Sequence, residues 1–173
     1  MILTGKEIHR EVESGNIVID PFNQKNINPN SYNFRLSNQL KVYTAPTLDT
    51  KMKNEVASID IDETGFILEP RTLYLASTIE IMGSEFYIPT YAARSSVARL
   101  GMFINLSACL GDIGFIGNWT IQLYSINRVK IYAGMNIGQI MFWCPKGRIN
   151  LYNGKYQGAV GAIESRIQFD TRK

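Results

Sequence analysis

Between Gly65 and Trp143 the chain is a succession of short extended runs punctuated by glycine and proline, and this punctuation constrains the fold more than any other feature. The runs are 65–70, 73–81 and 86–92, followed by 102–109, 118–127, 128–131 and 137–143. Short strands at such spacing predict a mainly β sandwich or barrel. Upstream, 31–42 reads as extended, with Tyr32, Phe34 and Leu36 alternating against Ser31, Asn33 and Arg35. One helix stands apart. Thr4-Gly5-Lys6-Glu7 reads as a capping box, Ile8 and Val12 share a face, and Gly15 supplies a C-cap, which predicts a helix over 4–14. Residues 17–20 form a short strand stopped by Pro21, 22–30 a polar loop, and 44–58 a surface excursion with no sustained period. The segment 155–173 is rich in Gly, Gln and small residues, cannot fill a core by itself, and reads as an arm or lid. One domain over 1–154 with 155–173 as its C-terminal arm is the expected organisation.

Inside this apolar series, Tyr91-Ala92-Ala93-Arg94-Ser95-Ser96-Val97-Ala98-Arg99-Leu100-Gly101 places two arginines and two hydroxyls within six residues. Ser95 or Ser96 can N-cap a short helix and Gly101 can end it, which sets guanidiniums and hydroxyls beside free backbone N–H groups. Such a cluster suits an anion, because Arg supplies planar paired donors and Ser hydroxyls bridge phosphate oxygens. A capped helical turn with surface arginines explains the same residues without a ligand.

Composition narrows the function by exclusion. At 173 residues and 45% hydrophobic content the chain suits one globular domain. No run reaches membrane-spanning length and the start lacks a signal peptide's charged and apolar regions, so a cytoplasmic location is expected. A net charge of +3 with scattered basic residues argues against nucleic acid and leaves room for a small polyanionic ligand. Cys109, Cys144 and the single histidine, His9, cannot supply the three ligands of a zinc deaminase, so any deamination proceeds without zinc. Both cysteines read as buried small hydrophobes, and His9 as a surface residue of the helix.

Ala93-Arg94-Ser95-Ser96-Val97-Ala98-Arg99-Leu100-Gly101 closely resembles the G-R-S-S-L-A-R-L-G motif of the dCTP deaminase family, relatives of the trimeric dUTPases. Asn28-Pro29-Asn30-Ser31-Tyr32-Asn33-Phe34-Arg35-Leu36 resembles its Q-P-x-S-Y-D-L-R-L segment, and Asp112-Ile113-Gly114-Phe115-Ile116-Gly117 its D-P-G-[WF]-x-G. Ala133-Gly134-Met135-Asn136-Ile137-Gly138-Gln139 and Lys155-Tyr156-Gln157-Gly158 with Ser165-Arg166 complete the ordered series. The resemblance implies a distorted jelly roll with a short N-terminal helix, assembling as a homotrimer with sites between subunits. It implies a pyrimidine deoxynucleotide ligand held by Arg94, Ser95, Ser96, Arg99, Phe115, Gln139, Lys155 and Tyr156. Phe115 would pack on the sugar, Lys155 and Tyr156 would close near the phosphates, and Mg²⁺ would arrive on the triphosphate with no direct protein ligand.

The chain departs from the family where chemistry is done. Deamination at C4 needs a group that takes a proton from water and returns protons to N3 and the leaving ammonia, which a carboxylate can do. The family's glutamate falls on Gln122 in Thr120-Ile121-Gln122-Leu123-Tyr124, and an amide has no titratable proton near neutral pH. Asn33 replaces an acid, Leu110 a basic residue near the base, and Ala159-Val160-Gly161 a segment carrying a lid glutamine. A Glu→Gln change introduced to trap substrate would explain Gln122 but none of the others. Asp112 keeps a second chemistry open, since related dUTPases use an aspartate to activate water against the α-phosphate; a plain turn residue is the alternative. Three readings follow: a nucleotide-binding protein that has lost deamination and serves sequestration or regulation, a dUTP or dCTP pyrophosphatase using Asp112, and a dCTP deaminase.

Overall fold

The computed structural model describes residues 1–170, and its regular structure is mainly β. Among the described residues, helix is confined to α1 (Gly5–Glu13), the single turn α2 (Ser95–Ala98) and two 3-10 turns, Gln24–Asn26 and Ile167–Phe169. The strands are β1 Val18–Asp20, β2 Ile27–Asn28, β3 Ser31–Tyr43, β4 Val56–Asp60, β5 Phe66–Leu68 and β6 Tyr74–Gly83. They continue with β7 Ile88–Ala93, β8 Met102–Phe103, β9 Ile116–Ser125, β10 Val129–Ile131 and β11 Asn136–Trp143. A nine-stranded sheet runs β7-β11-β3-β6-β9-β8, with β1 on β6 and β2 and β4 on β3, while β10 pairs with β5 in a separate ribbon. Register shifts interrupt β11/β3, β3/β6 and β6/β9. Such irregularities bend strands and deepen twist, and here they curl the sheet into a nearly closed barrel-like body. Tyr32, Phe34, Leu36, Leu40, Met82, Ile121, Ile140 and Phe142 fill its interior.

Local chemistry departs from the sequence reading in several places. The capping box does not form: the Thr4 side chain makes no cap bond, and Glu7 is taken instead by Arg10 on the same helix. The Gly5 N–H finds its acceptor at Pro29 O, 2.8 Å away. Glu11 is a buried residue of α1, and Asn16 Nδ2 donates to its Oε2 at 2.7 Å. That bond holds the Glu11 carboxyl below its ordinary value, while burial and the contact with Glu11 push the Tyr87 phenol up to about 12. A carboxylate whose folded value is depressed stabilises fully above its unfolded value, and that contribution is lost as pH falls through the lowered one.

The surface excursion is shorter than the sequence predicts, because β4 pairs with β3 from Gln39↔Asp60 to Tyr43↔Val56. The expected strand over 102–109 reduces to β8. Beyond it, Ile104 O accepts from Gln122 N, Asn105 Nδ2 donates to Tyr91 O, and Cys109 O accepts from Tyr91 N, so the segment crosses from β9 to β7. This crossing leaves Cys109 exposed, against the expectation of burial, while Cys144 is half-buried. His9, expected on the surface, is half-buried as well, stacked on Phe22 at 5.4 Å and 3.5 Å from Glu13.

Asn33 has a structural explanation. Asn28 Nδ2 donates to Asn33 Oδ1 at 2.9 Å and Asn33 Nδ2 donates back to Asn28 Oδ1 at 3.3 Å. This reciprocal pair needs an amide on both sides, and an ionised acid at Asn33 lacks the returning donor.

Candidate functional site

A cleft of about 590 Å³ lies against β9, whose alternation sends Asn118, Thr120 and Gln122 to one face. Leu75 of β6 stands opposite Gln122 in register, and Leu73 extends this wall. The far side is the crossing segment, with Leu106, Ser107, Ala108, Leu110, Gly111 and Asp112. Two glycines let these pieces approach: a Cβ on Gly111 would lie 2.1 Å from the Trp119 ring, and one on Gly83 would lie 1.9 Å from Phe115 O. Aromatic rings back the cleft. Phe115 meets Trp119 edge-on at 5.6 Å and Tyr152 at 6.1 Å, and Trp119 meets Tyr91 at 5.4 Å. Burial raises the Tyr91 phenol well above the ordinary tyrosine range, so it stays protonated.

The segment after Tyr152 is already laid over this face. Tyr152 N donates to Ile113 O, Gly158 N to Ile116 O, Gly161 N to Asn118 Oδ1 and Ile163 N to Thr120 Oγ1. Further along, Ser165 N donates to the Tyr43 hydroxyl and Lys41 pairs with Glu164 at 2.9 Å. Thus the described part of the arm behaves as a strap along β9; the polar end at 171–173 lies outside the described residues. Tyr156 lines the cleft and its hydroxyl accepts from Arg166 N. Lys155 pairs with Asp170 at 2.5 Å while its ammonium stays 5.5 Å from the centre of the Tyr156 ring, so the two residues expected near phosphates remain neighbours with the lysine held by a carboxylate.

Gln122 and Asp112 both line the cleft, in different settings. Leu106 N donates to Gln122 Oε1 at 3.0 Å, which fixes the side chain between β9 and the crossing segment. Asp112 is exposed and, among the described residues, its carboxylate accepts no hydrogen bond; only its backbone oxygen is engaged, by Phe115 N at 3.2 Å. The turn-residue alternative, a carboxylate occupied by local N–H groups, is therefore not what the chain adopts.

Arg94, Ser95, Ser96 and Arg99 lie elsewhere on the chain. Val97 is buried and anchors the turn, Gly101 at φ +78° ends it, and Arg94 rather than a serine occupies the N-cap. Ser95, Ser96 and Arg99 are exposed, and among the described residues neither arginine pairs with a carboxylate. None of the four lines the cleft. Gln139 also lies outside it, its Oε1 accepting from Ser31 Oγ at 2.9 Å.

Sequence and fold comparisons converge on one group. The family model described as dCTP deaminase-like matches residues 2–144. The chain belongs to the dCTP deaminase-like family. It is 43% identical over 171 residues to a protein named dCTP deaminase, dUMP-forming, from Clostridium acetobutylicum, covering 98% of both chains. A protein of the same name from Clostridium botulinum is 45% identical over 174 residues and matched along the full length of both. The crystal structure of a 2′-deoxycytidine 5′-triphosphate deaminase from Agrobacterium tumefaciens superposes with a TM-score of 0.68 at 16% identity, covering 86% of this chain and 50% of that one. That likeness establishes the barrel-like fold.

Sequence reasoning missed Leu73, Leu75, Leu106, Tyr152 and Ile163 as cleft residues. Only Thr120 and Asn118 carried a legible signal, since they precede Gln122 by two and four positions on one strand face.

Proposed function

We propose that this chain binds a pyrimidine deoxynucleoside triphosphate and does not deaminate it. The observation that carries this reading is Gln122, an amide held by Leu106 N–H in the cleft where a proton-shuttling carboxylate is needed. The base belongs against the leucine wall, and the phosphates belong to Arg94, Ser95, Ser96 and Arg99, which lie outside the protomer's own cleft. Sites completed between copies in a homotrimer reconcile the two. Exposed Leu100, Phe103, Leu106, Leu110 and Ile126, clustered around α2 and the crossing segment, are consistent with a surface covered by another copy. Mg²⁺ would arrive on the phosphates, and Asp112 is the carboxylate that lines the cleft. When bound, Mg²⁺ neutralises developing phosphate charge.

Incubation with each dNTP and Mg²⁺ tests the reading through its products. Release of neither ammonia nor pyrophosphate supports binding alone, whereas ammonia and dUTP establish deamination. A second reading has its own support in the unpaired Asp112 carboxylate and in relatives whose name includes dUMP-forming. Here Asp112 takes a proton from water, the water oxygen bonds to the α-phosphorus, and the bond to the bridging oxygen breaks to release pyrophosphate. Pyrophosphate without ammonia supports that reading.

Two further results are expected. Arg94→Ala or Arg99→Ala weakens nucleotide affinity by roughly 1.5–3 kcal/mol, more for a triphosphate than a monophosphate, as befits loss of a charge-assisted bond. Calorimetry that finds both variants unchanged removes the anion-site assignment. Light scattering at micromolar concentration should return the mass of a trimer, and a stable monomer would defeat the intersubunit site.

A further inference from the structure

We infer that Gln122 sets the base specificity of the cleft, selecting a 4-oxo pyrimidine such as uracil over the 4-amino pyrimidine cytosine. The inference rests on the nucleotide-binding reading and concerns only the ring edge. Of the polar residues that β9 sends to this face, Asn118 has both ends of its amide engaged and Thr120 has its hydroxyl oxygen bound by the strap. Asn118 Nδ2 donates to the carbonyls of Thr78, Ile79 and Glu80 while its Oδ1 accepts from Gly161 N. Thr120 Oγ1 accepts from Ile163 N. Gln122 is different, because its Oε1 is taken by Leu106 N–H at 3.0 Å and its Nε2 has no partner among the described residues.

The orientation of that amide is forced, since reversing it would set an N–H₂ group against a backbone N–H. Gln122 therefore offers the cleft one function, a hydrogen-bond donor. Its neighbours Leu73, Leu75, Leu106 and Leu110 form an apolar wall that receives the face of a ring and supplies no competing side-chain polar group. A 4-oxo group accepts from Nε2. A 4-amino group meets it donor to donor, and turning the ring so that N3 accepts leaves the amino group on the leucine wall without a partner. A carboxylate at the same place, with one oxygen held by Leu106 N–H, would offer an acceptor and reverse the preference.

Calorimetry on the full chain with the α,β-imido analogues of dUTP and dCTP, in the presence of Mg²⁺, separates the possibilities without turnover. The unmodified protein should bind the uracil analogue on the order of 10-fold or more tightly, the scale expected when a site's polar group is left unpaired by the wrong ligand. Gln122→Glu should invert that order, and Gln122→Met, which removes the donor at similar volume, should abolish it. Equal affinities, or a cytosine preference in the unmodified protein, overturn the specificity while leaving nucleotide binding intact. Failure of both analogues to bind overturns the nucleotide reading, and this inference with it.

Discussion

Incubated with dCTP and Mg²⁺, the unmodified protein should release no detectable ammonia while still binding nucleotide. General acid–base catalysis contributes roughly 10²–10⁴-fold, and one group here would have to serve both water activation and ring protonation, so the loss falls at or beyond the upper end. Gln122 cannot supply it: its oxygen is engaged by Leu106 N–H and its nitrogen carries no removable proton. Were this the sole defect, Gln122→Glu would restore ammonia release. Leu110, 67% exposed at the rim of the cleft, still stands where the resemblance calls for a basic residue, so the single reversion should recover little or nothing. If pyrophosphate release is present, Asp112→Asn should abolish it. Brisk ammonia release by the unmodified protein would end the binding reading.

The strand series was legible because glycine and proline punctuate the runs, and β6, β7, β9 and β11 fall within a few residues of the expected bounds. What escaped was tertiary. β4 was hidden because its residues alternate weakly and its order comes from pairing along β3. The segment after Phe103 has strand composition but spends its backbone groups on β9 and β7 in turn, a division no local pattern encodes. The same holds for the site. Asp112 and Gln122 were legible as a pair through motif order, while the leucine wall and the strap from Tyr152 to Ser165 exist only because the chain returns along β9. Thr4 and Glu7 show the reverse failure, where a correct local signature lost to Arg10 and Pro29.

Removal of the Arg35 side chain should be among the most destabilising single changes in the barrel. Glu80 of β6 is fully buried, and Arg35 of β3 donates to it twice, from its backbone N at 2.9 Å and from Nε at 2.7 Å. The register between β3 and β6 shifts just beyond Leu36↔Thr78, so the carboxylate takes the place of a ladder acceptor. The hydrogen bond to Glu80 also raises the Arg35 guanidinium above its ordinary value. The two partners are not equivalent. Arg35 is 28% exposed in its side chain and can regain water, whereas Glu80 cannot. Arg35→Met leaves a buried carboxylate held by one backbone N–H and should cost about 3–5 kcal/mol. Glu80→Gln keeps an acceptor for one Arg35 donor at nearly constant volume and should cost less, about 1–2 kcal/mol. Combining Arg35→Met with Glu80→Gln should cost less than the sum of the two, because the stranded charge is gone. Urea denaturation of the three variants measures this; an Arg35→Met cost below about 1 kcal/mol would show that Glu80 reaches water or another partner once released, and that the barrel does not depend on the pair.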